Sequence, residues 1–149
     1  MSYKDINAQK NAIHSIYAET GWRTKELLSY MDKAEDFYFD NVAQIHMSNW
    51  SRERVVLVGD AGYCGSPLSG QGTSLALVGA YVLANELHKS DGDYHQAFSR
   101  YEERLRSFVE ANQALGKYTA DGLLTGTDNS FEFEKRQKMF AEASNAIKL

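Results

Sequence analysis

Between Gly59 and Gly72 the sequence reads G-D-A-G-Y-C-G-S-P-L-S-G-Q-G and holds five of the chain's eleven glycines and its only proline. Glycine opens backbone conformations that a Cβ forbids, and proline fixes φ, so the segment reads as a loop. Before it, Val55, Val56, Leu57 and Val58 form a continuous apolar run between Arg54 and Gly59. That pattern predicts a strand covered on both faces, as in a parallel sheet. After it, residues 73–88 (TSLALVGAYVLANELH) are apolar almost all round and predict a buried helix. A strand that turns through glycines into a helix start brings unpaired N–H groups and the positive end of a helix dipole to one point. Anions and electron-rich oxygens bind at such points. Asp60 follows the strand directly, at the carboxyl edge where ligands of open α/β sheets sit, and its carboxylate can accept hydrogen bonds from ligand hydroxyls.

Three phosphate or nucleophile motifs fail here at nameable residues. A P-loop needs Lys after its second glycine, and Gly70 is followed by Gln71. The fingerprint G-x-G-x-x-G would need glycine at position 75, which is Leu75. A nucleophile elbow centred on Ser69 would need glycine where Pro67 stands.

The segment instead resembles the second FAD-binding motif of the flavin-dependent aromatic hydroxylases, the group A flavoprotein monooxygenases that include the tetracycline-inactivating enzymes. In that family a buried strand ends in Gly-Asp and a Pro-x-x-Gly-x-Gly loop leads into a long helix. The matching residues are Gly59, Asp60, Pro67, Gly70, Gln71 and Gly72, with Thr73 opening a helix through Ala80, Leu83, Ala84 and Leu87. The resemblance implies that Asp60 hydrogen-bonds the ribityl chain of FAD, and that Gly70 and Gly72 let the backbone approach the cofactor. It further implies that Pro67 lies beside the ring and that the helix start faces the pyrimidine edge, where reduction builds negative charge. Family chemistry is reduction by NAD(P)H, capture of oxygen by the reduced flavin, and hydroxylation of an aromatic or polyketide-like substrate. The family commonly has Ala-Ala-His after Gly-Asp, whereas this chain has Ala61, Gly62 and Tyr63, a departure expected to bear on the substrate side.

The resemblance covers roughly residues 20–115 and corresponds to the C-terminal part of such an enzyme. The N-terminal G-x-G-x-x-G segment and the middle Asp-Gly motif of the family are not found in these 149 residues. The expectation is therefore an incomplete FAD site, no catalytic side chain within the stretch, and no activity from the chain alone. Leaving the 55–58 run wet would cost several kcal/mol, so a homo-oligomer or a companion chain is expected to cover it. The alternative is a complementing, regulatory or structural module that pairs with a separate FAD domain or self-associates.

Elsewhere the pattern is mostly helical. From Tyr3 to Glu19, Ile6, Ile13, Ile16 and Tyr17 recur at helical spacing, with Gly21 at the expected C-terminal cap. A short helix with Thr24 as N-cap and Leu27, Leu28 and Met31 inward should follow. Residues 37–47 alternate and predict a strand with one wet face, on which His46 faces solvent. A helix is predicted over residues 93–115, a glycine-bearing loop over 116–130, and a last helix from Phe131 through Phe133, Phe140, Ala143 and Ile147. The fold class is α/β, a mostly helical C-terminal fragment of a FAD/NAD(P)-binding Rossmann-like domain with a few strands. Residues 1–50 would end a substrate-binding domain, 51–90 form the FAD-contacting strand, loop and helix, and 91–149 the C-terminal helices.

Composition supports this frame. An apolar share of 43% supports a core. The net charge of −4 is spread evenly, and the absence of a basic patch argues against a nucleic-acid partner. The single Cys64 excludes an intramolecular disulfide and points to a reducing cytoplasm. No metal is expected, since His14, His88 and His95 lack ligand spacing. No stretch reaches the length of a membrane span.

Overall fold

The computed structural model describes residues 5–126 and 130–148, so Tyr3 lies outside the described residues. The chain forms two compact units, Met1–Asn41 and Val42–Leu149. The first contains helices α1 (Ile6–Tyr17) and α2 (Thr24–Lys33). Asp5 caps α1 by accepting from the Ala8 N–H at 2.9 Å. The pair is tied by the His14 ring against the Asp32 carboxylate at 2.9 Å, and by Lys10 Nζ donating to the Asp32 carbonyl at 3.1 Å. Two expected caps are corrected. Helix α1 closes at Ala18, before Gly21, and the cap of α2 is Arg23. Thr24 is unavailable as a cap because its hydroxyl donates back to the Gly21 carbonyl. Arg23 instead pairs with Glu26 in the first turn, which holds the Glu26 carboxyl below its usual range.

In the second unit a two-residue hairpin, β1 (Ser51–Arg52) against β2 (Val55–Val56), is antiparallel with Ser51 opposite Val56 and Arg52 opposite Val55. One turn of helix, α3 (Asp60–Tyr63), and a 3₁₀ turn over Pro67–Ser69 lead into α4 (Gly72–Lys89). Helices α5 (Tyr94–Thr125) and α6 (Ser130–Ser144) complete it. The core gathers Trp50, Tyr63, Leu75, Val82, Tyr101, Leu105, Phe108 and Val109, placing it between the hairpin, α4 and α5. Burying large apolar side chains stabilises by about 1.5–3 kcal/mol each, so this cluster dominates the unit's energetics. Buried Glu86 on α4 is ion-paired with Arg104 of α5, which joins the two helices across the same core.

Three further expectations are corrected. The strand predicted over residues 37–47 is absent, and what would have been its ladder is replaced by side-chain bonds. Gln113 Nε2 donates to the Ile45 carbonyl at 2.7 Å, and Arg106 donates to the Met47 and Ser48 carbonyls. The Ile45 N–H finds a main-chain partner in the Cys64 carbonyl at 3.1 Å. The run 55–58 is not a strand covered on both faces. Only Val55 and Val56 pair, with one antiparallel neighbour, and Val55 is 64% exposed, because the described residues supply no second flanking strand. The loop predicted from residue 116 is helical to Thr125. There Gly116 serves close packing rather than a turn, since a Cβ would run into the Gly65 carbonyl. Gly126, at φ +64°, is where the helix stops. Among the described residues no helix is long and apolar enough to cross a membrane.

Gly79 is the tightest point of the unit, because a Cβ there would collide with the Tyr63 hydroxyl. Gly79→Ala should lower the stability of the chain by about 1–3 kcal/mol, read as a lower urea midpoint at unchanged slope. Gly122→Ala on α5, where a Cβ meets open space, should raise it by about 0.5–1 kcal/mol in the same assay.

Candidate functional site

The glycine-rich segment is folded by its own hydrogen bonds. Gly59 adopts φ +67° and ψ −140°, a region closed to residues with a Cβ, and reverses the chain after the hairpin. Its carbonyl accepts from the Gly62 and Tyr63 N–H groups, both at 3.0 Å, which closes α3. A Cβ at Gly59 would sit 3.2 Å from the Ala76 Cβ, so this bend lies against the second turn of α4. Asp60 therefore stands beside the beginning of α4. Its carboxylate is exposed and makes no hydrogen bond or ion pair among the described residues.

Two serines, Ser66 and Ser69, shape the rest. Ser66, at φ +71°, accepts from the Leu68 N–H at 3.0 Å through its hydroxyl oxygen. The Ser69 hydroxyl donates to the Ser66 carbonyl at 2.9 Å and accepts from the Gln71 N–H at 3.2 Å. Their spacing around Pro67 is the signal, because Ser hydroxyls next to proline favour local turns of this kind. Gly70 follows in the left-handed region at φ +65°, and neither Gly70 nor Gly72 has any atom within 4 Å of where a Cβ would be.

Helix α4 starts without a side-chain cap. Among the described residues nothing accepts from the backbone N–H of Gly72, Thr73 or Ser74, whereas the Leu75 N–H is bonded to the Gln71 carbonyl. Gly72 and Thr73 are exposed. An 18-residue helix thus presents open donors and the positive end of its dipole through a gap kept bare by two glycines. The turn also borders two clefts of about 420 Å³ each: one reached past Pro67, Leu68 and Phe140, the other past Gly70, Ser74 and Phe140. Such an arrangement holds an extended polar or anionic group by main-chain donors, with one free carboxylate alongside.

Of the expected site residues, Asp60, Pro67, Gly70, Gly72 and Thr73 are exposed, while Gly59 and Gln71 are buried. The Gln71 carboxamide is committed elsewhere, donating to the Ser144 hydroxyl of α6 at 2.9 Å. Cys64 is partly buried with its Sγ 3.9 Å from the Ala43 carbonyl, and exposed His46 is bonded to Gln44. Trp50 is buried in the core, whereas Trp22 and Tyr38 are 89% and 82% exposed. Among the described residues no three His, Cys, Asp or Glu side chains are grouped to hold a metal.

No family model matches the chain. It is 46% identical to a flavin-dependent monooxygenase from an unknown prokaryotic organism and 44% identical to one from Legionella longbeachae, over 98% of its own length and 39% of theirs. The crystal structure of tetracycline destructase Tet(55) superposes on 99% of the chain with a TM-score of 0.84 at 42% identity. This chain is homologous to the flavin-dependent monooxygenases. It spans about two fifths of the length of the curated relatives it matches, and 40% of the Tet(55) chain. The fold class expected from the sequence agrees with this, a largely helical piece of a larger α/β fold. At the departure from the Gly-Asp-Ala-Ala-His pattern, Tyr63 has 0% exposure and belongs to the core.

Gly70 and Gly72 separate backbone need from bareness. Gly70→Ala should cost about 1 kcal/mol, because φ +65° strains any residue with a Cβ. Gly72→Ala, in a helical conformation with open space around it, should leave the denaturation midpoint unchanged or raise it.

Proposed function

We propose that this chain is the flavin-facing C-terminal part of an FAD-dependent monooxygenase. In the whole enzyme, working in the cytoplasm, a small aromatic or polyketide-like molecule is hydroxylated with NAD(P)H and O₂. The observation that carries the reading is the uncapped start of α4 behind two bare glycines, with unpaired Asp60 beside it, in a chain this similar to flavin-dependent monooxygenases. The residues fit the cofactor. Main-chain donors at Gly72 and Thr73 suit an electron-rich ring edge, the absent side chains at Gly70 and Gly72 allow close approach, and Asp60 can accept from the hydroxyls of a ribityl chain. FAD would supply the redox chemistry, taking reducing equivalents from NAD(P)H and activating oxygen. This chain's part is to bind and to bias. The α4 dipole favours negative charge at its start, Pro67 walls one side, and buried Gln71 acts only through the shape of the loop. The remaining contacts to FAD would come from the three fifths of the relatives that this chain does not span.

A second reading, a module that pairs with a separate FAD domain or with its own copy, is favoured by exposed apolar groups next to the site. Leu77 and Tyr81 on α4 are 68% and 52% exposed, and Val55 of β2 is 64% exposed.

The test is an FAD titration of the purified chain, followed by flavin fluorescence and combined with a size measurement in solution. Saturable but weak binding is expected, with no NAD(P)H oxidation. Asp60→Ala should weaken it about tenfold, the loss of one or two hydrogen bonds to a charged acceptor. Gly72→Ala should weaken it without loss of stability. A chain that turns over NAD(P)H by itself would sink the inactive-alone clause, and no uptake of FAD at all would sink the flavin reading.

A further inference from the structure

Tyr63 and Tyr101 bury two hydroxyls completely, and the proposed reading uses neither. The Tyr101 hydroxyl donates to the Leu57 carbonyl at 3.0 Å. Its proton being so committed, the Tyr63 hydroxyl, 2.9 Å away, is the donor in the bond between the two. Burial and the neighbouring Tyr63 hydroxyl push the Tyr101 phenol well above its ordinary range, so it keeps that proton at any working pH.

The two ends of this chain of hydroxyls fall on either side of one short stretch. Leu57, whose carbonyl receives the last bond, lies two residues before Gly59. Tyr63, which gives the first, is the last residue of α3, the turn whose first residue is Asp60. Residues 57–63 are thus clasped from both ends against α5. The clasp is keyed on every side. Gly79 on α4 leaves room for the Tyr63 hydroxyl, and Gly62 lets the Trp50 ring approach to 3.5 Å of where a Cβ would be. The Trp50 ring lies 4.7 Å from that of Tyr63 and 6.0 Å from that of Tyr101, centroid to centroid. Phenylalanine would fill the same volume without the desolvation cost of two phenols, so packing alone does not account for the hydroxyls.

We infer that Tyr63 and Tyr101 are positioning residues for Asp60, holding the 57–63 backbone so that its carboxylate stands beside the open start of α4. The inference rests on the reading of Asp60 as a ribityl contact. Their contribution acts through main-chain geometry and touches no ligand.

The test uses the full chain, Tyr101→Phe, Tyr63→Phe, and Val82→Ala as a substitution of comparable destabilisation in the same core that leaves both hydroxyl bonds in place. Amide hydrogen exchange reads the clasp without any flavin. In Tyr101→Phe the Leu57, Gly62 and Tyr63 amides should exchange about threefold to tenfold faster, and the amides of α5 around Leu105 should not. FAD titration of the same proteins should show about a tenfold weaker affinity for Tyr101→Phe, and less than about a twofold change for Val82→Ala. Tyr63→Phe keeps the Leu57 bond and should show a smaller effect of the same pattern; it also replaces Tyr101→Phe should that variant fail to fold. Unchanged exchange at 57–63, or equal affinity loss in Val82→Ala, overturns the positioning role. Absence of FAD binding by the unsubstituted chain overturns the flavin reading instead, and the exchange pattern still decides whether the clasp exists.

Discussion

Tyr63 can lie against α4 only because residue 79 has no side chain, and that close approach decides where everything between the hairpin and α4 can go. With Tyr63 seated, α3 has a fixed end, Gly59 must bend onto Ala76, and Asp60 is left at the surface. The same seat packs Tyr63 against Trp50, whose ring takes the Arg106 guanidinium at 3.9 Å. Arg106 in turn holds the carbonyls of Met47 and Ser48. One missing methyl group thus aligns the site loop, the core and the segment leading into the hairpin.

How much of this was readable beforehand depends on whether the controlling interaction is local. Helix α4 and the turn at Pro67 were legible because composition and φ requirements act within a few residues. The Gly59 and Gly70 positions were legible for the same reason. Residues 37–47 misled because alternation signals a half-buried extended chain but not who takes its hydrogen bonds; here Gln113 and Arg106, on α5, take them. Gly116 misled in the opposite way. Glycine in a pattern suggests a break, yet this one sits in mid-helix because the Gly65 carbonyl needs the space, a long-range fact with no local trace.

The site shows the same division. Its backbone part was legible as a motif, and the structure adds what no motif records, that Ser66 and Ser69 build the turn and that Gln71 faces inward. Tyr63 stood out as a departure from the family pattern, and the pattern carried no sign that its side chain is buried. A buried phenol is indistinguishable in one sequence from a pocket-lining one. Only the partner hydroxyl on α5 and the gap at Gly79, 38 and 16 positions further along, tell them apart.

The bond from Gln71 to Ser144 has an implication for exchange between relatives. Gln71 supplies the carbonyl that starts α4, and its carboxamide is spent on α6. The loop and the C-terminal helix therefore form one inheritable block. A chimaera joined between them, at the glycine that ends α5, would bring together a loop and a helix that were never selected for each other, even where each half is native in sequence.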